Sequence, residues 1–214
     1  DTLKYLTHAG GKLENNKLEK IIKFCKKNSL KFFSMYGQTE ASPRISYLKS
    51  EFSQRKIGSI GKGIPGNKIF IVNDNNKRIL KPFEEGEIIC KGKNVFMGYS
   101  KNFNDLRKPN EENYELKTGD LGYFDEDGFF YISGRLSKIA KIFGYRIDIS
   151  ILESLMSKKG YKIVCLNNNK KIFIFIEKNY NKTDLINIIS KITNLNITSF
   201  EIIKLKSFPR TLNN

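Results

Sequence analysis

The stretch Thr118–Arg146 contains two side chains that suit an oxygen-rich ligand. Asp120 follows a glycine in a Thr-Gly-Asp sequence, and Arg135 follows another glycine 15 residues later. A carboxylate accepts hydrogen bonds from two neighbouring hydroxyl groups, and a guanidinium donates to oxygen and phosphate. Solvated charges on a surface turn are the alternative. Whether the two side chains lie close together in space therefore depends on the segment between them.

The segment between these two residues predicts a β-hairpin. The apolar runs Gly122–Phe124 and Phe129–Ile132 flank the turn sequence Asp125-Glu126-Asp127-Gly128. Asp-Gly between aromatic strands is typical of a short hairpin loop, because Gly accepts the positive φ that the turn needs. Such a hairpin places Asp120 and Arg135 at the same end of a rigid two-strand unit.

A second cluster of reactive side chains occurs in Tyr36-Gly37-Gln38-Thr39-Glu40. A flat ring offers a stacking face, a hydroxyl can donate, and a hard carboxylate suits Mg²⁺. A helix start with Thr39 as its cap is the alternative.

This cluster follows a predicted parallel βαβ unit. The unit comprises a strand at Leu3–Thr7, an amphipathic helix at Glu14–Lys27 and a strand at Lys31–Met35. Strand, helix, strand in this order predicts parallel pairing, and ligands bind at the carboxyl ends of such strands. The loops after the two strands, at Gly10-Gly11 and at Tyr36, are therefore candidate binding loops.

The middle of the chain predicts a compact β subdomain from about Glu51 to Ser133. Strand-length runs occur at Lys68–Val72, Glu87–Lys91 and Val95–Tyr99, with turn signals between them.

Beyond Arg135 the pattern changes to a small α+β domain. The predicted elements are an apolar run at Ile139–Phe143, a helix at Ile149–Lys158, strands at Lys162–Leu166 and Ile172–Glu177, a helix at Lys182–Thr193 and a strand at Phe200–Leu205. We expect a domain boundary at Arg135–Lys138.

Composition narrows the possible classes of protein. The formal net charge is +16, from 38 Lys and Arg against 22 Asp and Glu, but the lysines are scattered among asparagines. A nucleic-acid-binding module would need them on one face. Three distant cysteines and one histidine predict a reduced, cytoplasmic protein without a zinc site or a Ser-His-Asp triad. We expect no membrane span, since no apolar run is long enough.

Two motif matches fail on their context. Gly61–Gly66 spells GxGxxG, yet the strand-like run Lys68–Val72 follows where a dinucleotide-binding helix should begin. Aligning Gly128 with the central glycine of an EF-hand loop puts Tyr123 first and Gly134 twelfth, where carboxylates are required.

Together these ordered motifs resemble the adenylate-forming superfamily of acyl-CoA synthetases, carrier-loading ligases and luciferase-like enzymes. The resemblance rests on Tyr36–Glu40, Gly58–Gly66, Gly86-Glu87-Ile88, Gly98-Tyr99 and the Asp120–Arg135 stretch. It implies a nucleotide site formed by Gly10, Gly11, Tyr36, Gly37, Thr39, Asp120, Ile132 and Arg135. Within that site it implies that Thr39 and Glu40 are catalytic and that Glu40 holds Mg²⁺.

The same resemblance implies a mobile carboxyl-terminal lid. Its hinge and moving loop would involve Ser137, Lys138, Lys141 and Gly144. Three positions depart from the family pattern: Ser137 replaces the usual Asp or Lys, Ala140 replaces Ile, and Ile151 stands where Glu is common. These departures concern the hinge and leave Asp120 and Arg135 unaffected.

The implied architecture is the end of an α/β domain at residues 1–50, a β-barrel subdomain at 51–134 and an α+β lid at 135–214. The implied reaction joins a small carboxylic acid to ATP, giving an acyl-AMP, and then transfers the acyl group to the thiol of coenzyme A or of a phosphopantetheine arm. Gly144–Ile147 and the basic charge favour an acidic carrier protein as a possible partner. An amino-acid-activating ligase that loads a carrier protein and a non-catalytic, basic nucleotide- or nucleic-acid-binding module are the alternative interpretations.

The resemblance also predicts that these 214 residues are the carboxyl-terminal part of the enzyme. Phe208–Thr211 matches the start of an LPRT-type segment, in which relatives carry the lysine of the adenylation step, and that lysine would follow Asn214. We therefore expect the chain alone to be inactive in adenylation.

Overall fold

The computed structural model describes residues 2–107, 114–168 and 170–209. It divides into two compact units, Asp1–Ser133 and Gly134–Asn214. The division falls beside the Arg135–Lys138 segment at which the sequence predicts a change of domain. Among the helices that the structure describes, none is long and apolar enough to cross a membrane.

The first unit is organised around a nine-stranded sheet, whose last strand continues two residues past the division between the units. Its strands in chain order are β1 (Tyr5–His8), β2 (Lys31–Tyr36), β3 (Ser46–Leu48), β4 (Ser59–Gly63), β5 (Lys68–Val72), β6 (Arg78–Ile79), β7 (Gly86–Lys91), β8 (Glu115–Phe124) and β9 (Phe130–Arg135). The order across the sheet is β1-β2-β3-β4-β9-β8-β7-β5-β6.

The predicted βαβ unit is confirmed. Strands β1 and β2 pair in parallel, and helix α1 (Asn15–Lys27) connects them. The helix forms because Leu18, Ile22 and Cys25 recur on one face, which packs in one core cluster with Phe32 of β2. This connection places the ends of β1 and β2 at the same edge of the sheet.

The expected closed β-barrel is not shown by the described strands. Strand β3 pairs antiparallel with both β2 and β4, so the later strands extend the first sheet. The sheet order has β1 at one end and β6 at the other. The predicted strand at Val95–Tyr99 is wrong, because this segment forms no ladder with a neighbouring strand. The strand predicted at Lys68–Val72 is confirmed as β5.

The second unit contains the predicted α and β elements and one further strand, Tyr145–Asp148. They are β10 (Ile139–Ile142), β11 (Tyr145–Asp148), α2 (Ile149–Lys158), β12 (Ile163–Asn167), β13 (Ile172–Ile176), α3 (Lys182–Thr193) and β14 (Phe200–Lys204). Strands β10 and β11 form one hairpin, and β12, β13 and β14 form a separate sheet. Met156 of α2 and Leu185 of α3 pack in one fully buried core with Ile174 of β13.

Both helices of this unit begin at a side-chain cap. Asp148 accepts from the backbone N–H groups of Ser150 and Ile151, at 2.8 and 3.1 Å. Asn181 accepts from the N–H of Thr183 at 3.0 Å. Such caps satisfy amide groups that have no partner within the helix, and each contributes about 1 kcal/mol. They fix the bounds that the apolar periodicity predicts for α2 and α3.

Candidate functional site

The candidate site centres on a hydrogen bond between the two motifs singled out in the sequence. The hydroxyl of Tyr36, at the end of β2, donates to Oδ2 of Asp120 in β8 at 2.6 Å. Both residues are buried, with 9% of Tyr36 and 7% of Asp120 exposed. Burial raises the pKa of Tyr36 above its ordinary value, and the bond to Asp120 raises it further. Tyr36 therefore stays protonated and acts as a donor to the carboxylate.

The backbone around Asp120 is shaped by contacts with β7. Thr118 Oγ1 donates to the carbonyl of Ile88 at 2.7 Å and accepts from the N–H of Asp120 at 3.2 Å. Gly119 has a φ of +70°, and its N–H donates to Oε1 of Glu87 at 3.0 Å. The Thr-Gly-Asp sequence suits this geometry, since glycine adopts a positive φ without steric cost. These bonds fix the direction of the Asp120 side chain.

The loop after β2 is held against β8 by a side chain that the sequence analysis did not single out. Gln38 Nε2 donates to the carbonyl of Thr118 at 3.2 Å. Gly37 is required at the start of this loop, because a Cβ there would lie 1.8 Å from the carbonyl oxygen of Pro43. Thr39 begins a short 3₁₀ turn, Thr39–Ala41, and is exposed.

Glu40, the predicted metal ligand, is half-buried in the same turn. The hydroxyl of Tyr99 donates to its carboxylate, and this bond is the main reason that the pKa of Tyr99 is raised. The carbonyl of Glu40 accepts from the N–H of Phe96 at 2.9 Å. Asn94 Nδ2 donates to the carbonyls of the following residues, Ala41 and Arg44. The segment 94–99 therefore fixes the turn that carries Glu40.

The loop after β1 contacts β9. Gly10 has a φ of +92°, and both Gly10 and Gly11 are exposed. The next residue, Lys12, donates from Nζ to the carbonyl of Ile132 at 3.3 Å. Within the first unit, the predicted loop after β1 therefore contacts β9, and the predicted loop after β2 contacts β8.

Four predicted site residues lie in the second unit, and Arg135 lies there with them. Arg135 ends β9 and is exposed. Ser137 and Lys138 belong to a short 3₁₀ turn, Leu136–Lys138. Lys138 Nζ lies 3.8 Å from Oε2 of Glu153, whose other oxygen accepts from the N–H of Cys165 at 2.6 Å. Glu153 thus fixes the predicted hinge segment to α2 and β12.

The predicted loop around Lys141 and Gly144 is corrected by the structure. Lys141 is in strand β10, where it pairs with Arg146 of β11. The turn is confined to Phe143 and Gly144, both with positive φ. The sequence analysis missed β11 because its residues follow the turn too closely to form a separate apolar run.

Glu40 is the single residue that the sequence analysis assigns to a metal ion. Over residues 2–107, 114–168 and 170–209, no group of three or more His, Cys, Asp or Glu side chains could hold a metal ion. Of the residues that the sequence analysis missed, Glu87 and Tyr99 stand in the quoted Gly-Glu-Ile and Gly-Tyr motifs. Gln38 stands inside Tyr36–Glu40, whereas Asn94 gave no signal.

Comparison with known proteins agrees with this arrangement. Residues 1–100 match the family model for AMP-binding enzymes. The chain is similar to the 2-succinylbenzoate–CoA ligase of Bacillus subtilis, with 36% identity over 136 residues, which is 64% of this chain and 27% of the relative. The ligase of Bacillus velezensis is 40% identical over 119 residues, or 56% of this chain and 24% of the relative. The chain thus spans about a quarter of the length of these curated relatives.

Solved structures give the same result for the fold. O-succinylbenzoate coenzyme A synthetase from Bacillus subtilis in complex with AMP has a TM-score of 0.62 and 28% identity, covering 99% of this chain and 44% of that one. The same enzyme in complex with ATP and magnesium ion has a TM-score of 0.60 and 27% identity, covering 97% of this chain and 44% of that one. By these comparisons the chain is similar to enzymes of the adenylate-forming, AMP-binding superfamily.

Proposed function

We propose that this chain carries part of the nucleotide site of an ATP-dependent acid–thiol ligase. The single observation that carries the proposal is the 2.6 Å bond between Tyr36 and Asp120, which joins two motifs 84 residues apart. The relatives' names support the same reaction class, since they are CoA ligases and their solved forms hold AMP or ATP.

In this proposal Asp120 binds the ribose of the nucleotide. An ionised carboxylate accepts about four hydrogen bonds, so Asp120 can keep the Tyr36 hydroxyl and still accept from two ribose hydroxyls. Tyr36 is too buried to offer a broad stacking face, so its proposed role is to orient Asp120 through its hydroxyl. The exposed backbone of Gly10 and Gly11 would contact the base, and Arg135 is proposed to donate to the ribose and phosphate.

The residues around Glu40 fit a magnesium ion that is held mainly by nucleotide phosphates. Mg²⁺ commonly takes one or two protein carboxylates and completes its shell with phosphate oxygens and water. Glu40 supplies one such carboxylate, and the exposed hydroxyl of Thr39 lies in the same turn. A magnesium ion bound there would neutralise phosphate charge. The protein's own part is to hold Glu40 through segment 94–99 and to offer the Thr39 hydroxyl to a phosphate oxygen.

The proposed chemistry has two steps. A carboxylate oxygen bonds to the α-phosphorus of ATP, the bond to the bridging oxygen breaks, and pyrophosphate leaves. The thiol sulfur then bonds to the acyl carbon, AMP leaves with the bonding electron pair, and the thiol proton goes to solvent. Because no group on the protein changes its covalent state, the residues act by alignment and charge stabilisation. Asp120 and Tyr36 align the ribose, which fixes the α-phosphorus.

The names of the relatives narrow the proposed substrates. We favour an aromatic carboxylate of the 2-succinylbenzoate class as the acid and coenzyme A as the thiol. The alternative thiol acceptor is a carrier protein that presents a phosphopantetheine arm. A thioester assay on a full-length protein with each acceptor discriminates between them.

The nucleotide site is tested on the 214-residue chain by calorimetric titration with AMP. Asp120→Asn removes the charge with little change of shape, and Glu126→Gln makes the same change at an exposed position of the neighbouring hairpin loop. We expect AMP affinity to fall about 10- to 100-fold in the first variant, the value of a hydrogen bond to a charged group, and to stay unchanged in the second. Equal affinity in both variants, or no AMP binding by the wild-type chain, would contradict the proposal.

A further inference from the structure

A cleft lies in the first unit and shares none of its lining residues with the proposed nucleotide site. Its volume is about 840 Å³, and it is lined by side chains from the segments 47–56 and 62–65 together with Asp127 and Phe129 of the hairpin loop. This volume is in the range of sites that hold a small organic ligand, roughly 300–1,000 Å³.

The floor of the cleft is aromatic, and cations lie over it. The rings of Phe52 and Phe129 are 5.0 Å apart between centroids and tilted by 57°. Lys56 Nζ and Lys62 Nζ lie 5.1 and 4.6 Å from the centroid of Phe129, and Arg55 Cζ lies 5.5 Å from that of Phe52. Cations are attracted to ring faces. The rings therefore hold three long, flexible side chains near one another.

These cations differ in whether a carboxylate already binds them. Lys56 is paired with both Asp125 and Asp127. Within the part of the chain that the structure describes, neither Lys62 nor Arg55 forms a salt bridge with a carboxylate, and both are exposed.

Lys49 adds a third exposed cation in the lining, again without a salt bridge to any described residue. The lining also includes two acids, of which Asp127 is held by Lys56, leaving Glu51 to face the three cations. The cleft therefore presents a local excess of positive charge.

We propose that this cleft binds a small, multiply charged phosphate anion. Arg55 can donate two parallel hydrogen bonds to phosphate oxygens, and Lys49 and Lys62 supply compact charges. Since cations already lie over the rings, the ligand is recognised by charge and not by stacking. The rings restrain the side chains beforehand, which lowers the entropy lost on binding. Free pyrophosphate and the diphosphate of a nucleotide share this chemistry.

The test titrates the 214-residue chain with inorganic pyrophosphate by calorimetry at low ionic strength. The variant Lys49→Gln/Lys62→Gln removes two charges from the cleft. The variant Lys81→Gln/Lys93→Gln removes two from exposed positions outside it and is the matched control. We expect one site per chain, an affinity at least tenfold weaker in the cleft variant, and a change below about twofold in the control.

Two further titrations identify the ligand and separate this site from the nucleotide site. Binding of pyrophosphate by itself points to the free anion, whereas binding of ADP without pyrophosphate points to a nucleotide ester. Asp120→Asn should leave pyrophosphate affinity unchanged, and the cleft variant should leave AMP affinity unchanged. Loss of AMP binding with pyrophosphate binding intact would contradict only the proposed function.

The cleft proposal is overturned by either of two results. Equal weakening in both double variants, with many anions bound per chain, would show diffuse attraction to a chain of net charge +16. If AMP and pyrophosphate compete, and the variant Lys49→Gln/Lys62→Gln does not change this competition, pyrophosphate binds in the proposed nucleotide site and not in the cleft.

Discussion

Asp120, within β8, and Asp125, directly after it, are two equally buried carboxylates with different hydrogen-bond partners. Each is 7% exposed. Asp125 is bound by Lys56 at 2.8 Å, by the N–H groups of Phe129 and Asp127 at 2.9 and 3.0 Å, and by the Tyr131 hydroxyl at 3.3 Å. Asp120 accepts from Tyr36, which comes from a different motif.

The difference shows that the donors around a buried acid, and not its burial, indicate its role. Burial raises the pKa of Asp125, but the bonds from Lys56 and from the N–H of Phe129 outweigh this and lower it below its ordinary value. Three of its four donors lie in its own hairpin, so Asp125 stabilises the hairpin. Asp120 instead connects the two motifs that the sequence analysis singled out. We therefore expect stability effects at Asp125 and binding effects at Asp120.

The largest stability effect is expected for Asp125→Ala. The change leaves buried N–H donors without an acceptor and Lys56 without its main partner, so we expect the free energy of unfolding to fall by about 2–3 kcal/mol. Urea denaturation followed by circular dichroism measures it, with Glu126→Ala in the same loop as control. AMP affinity of the folded protein should not change. A decrease of less than about 0.5 kcal/mol in the free energy of unfolding would contradict the stabilising role of Asp125.

A smaller effect is expected when one hydroxyl is removed from each carboxylate. Tyr36→Phe keeps the ring but takes the donor from Asp120, and Tyr131→Phe does the same to Asp125. We expect Tyr36→Phe to weaken AMP binding about tenfold, which corresponds to about 1.4 kcal/mol, and Tyr131→Phe to leave it unchanged. Calorimetric titration of each variant with AMP measures the two affinities. The same AMP affinity for both would mean that the two acids do not differ in role.

The lowered pKa of Asp125 predicts a pH dependence of stability. Near the ordinary pKa of 3.8 the unfolded chain binds more protons at this group than the folded chain does. Its contribution is thus fully present above that pKa and is lost as pH falls through the lower, folded value. Urea denaturation at pH 7, 5, 4 and 3 should show a smaller stability difference between wild type and Asp125→Asn at the acidic end. A difference independent of pH would contradict the charged state of Asp125.

The smallest effect is expected at Tyr99, whose hydroxyl donates to Glu40. Removing it in Tyr99→Phe frees a carboxylate lone pair for a cation. We therefore expect magnesium-dependent ATP affinity to rise about two- to threefold, with no change in the absence of magnesium. Tyr5→Phe, at an exposed tyrosine of β1, is the control. A change of equal size without magnesium would show that Tyr99 affects the nucleotide site by another route.

Local patterns predicted the helices well and the sheet order poorly. The bounds of α2 and α3 agree with the predictions because apolar periodicity and side-chain caps are both local in sequence. The pairing of β4 with β9 places Ser59 opposite Tyr131, and no local pattern records a pairing between such distant segments. Val95–Tyr99 has the composition of a strand, but the N–H of Phe96 is used by the Glu40 turn instead of a ladder.

The sequence predicts the site residues that belong to a recognised motif. It does not predict the residues that only support them through contacts in the folded chain. Tyr36 and Asp120 were singled out by their motifs, and the structure brings them together. The bond of Glu87 to the N–H of Gly119 and the support of the Glu40 turn by Asn94 depend on three-dimensional proximity. The cleft over Phe52 and Phe129 was not predicted, since it forms only when these two rings, from distant segments, pack together.

The most direct test of the central claim is a crystal structure of the chain with AMP. The account predicts ribose hydroxyls within hydrogen-bond distance, about 2.6–3.0 Å, of the Asp120 carboxylate, with the Tyr36 hydroxyl still bound to Oδ2. The segment at Asp125 should be unchanged. AMP bound elsewhere, or a ribose that contacts neither Asp120 nor its neighbours in β8, would contradict the account.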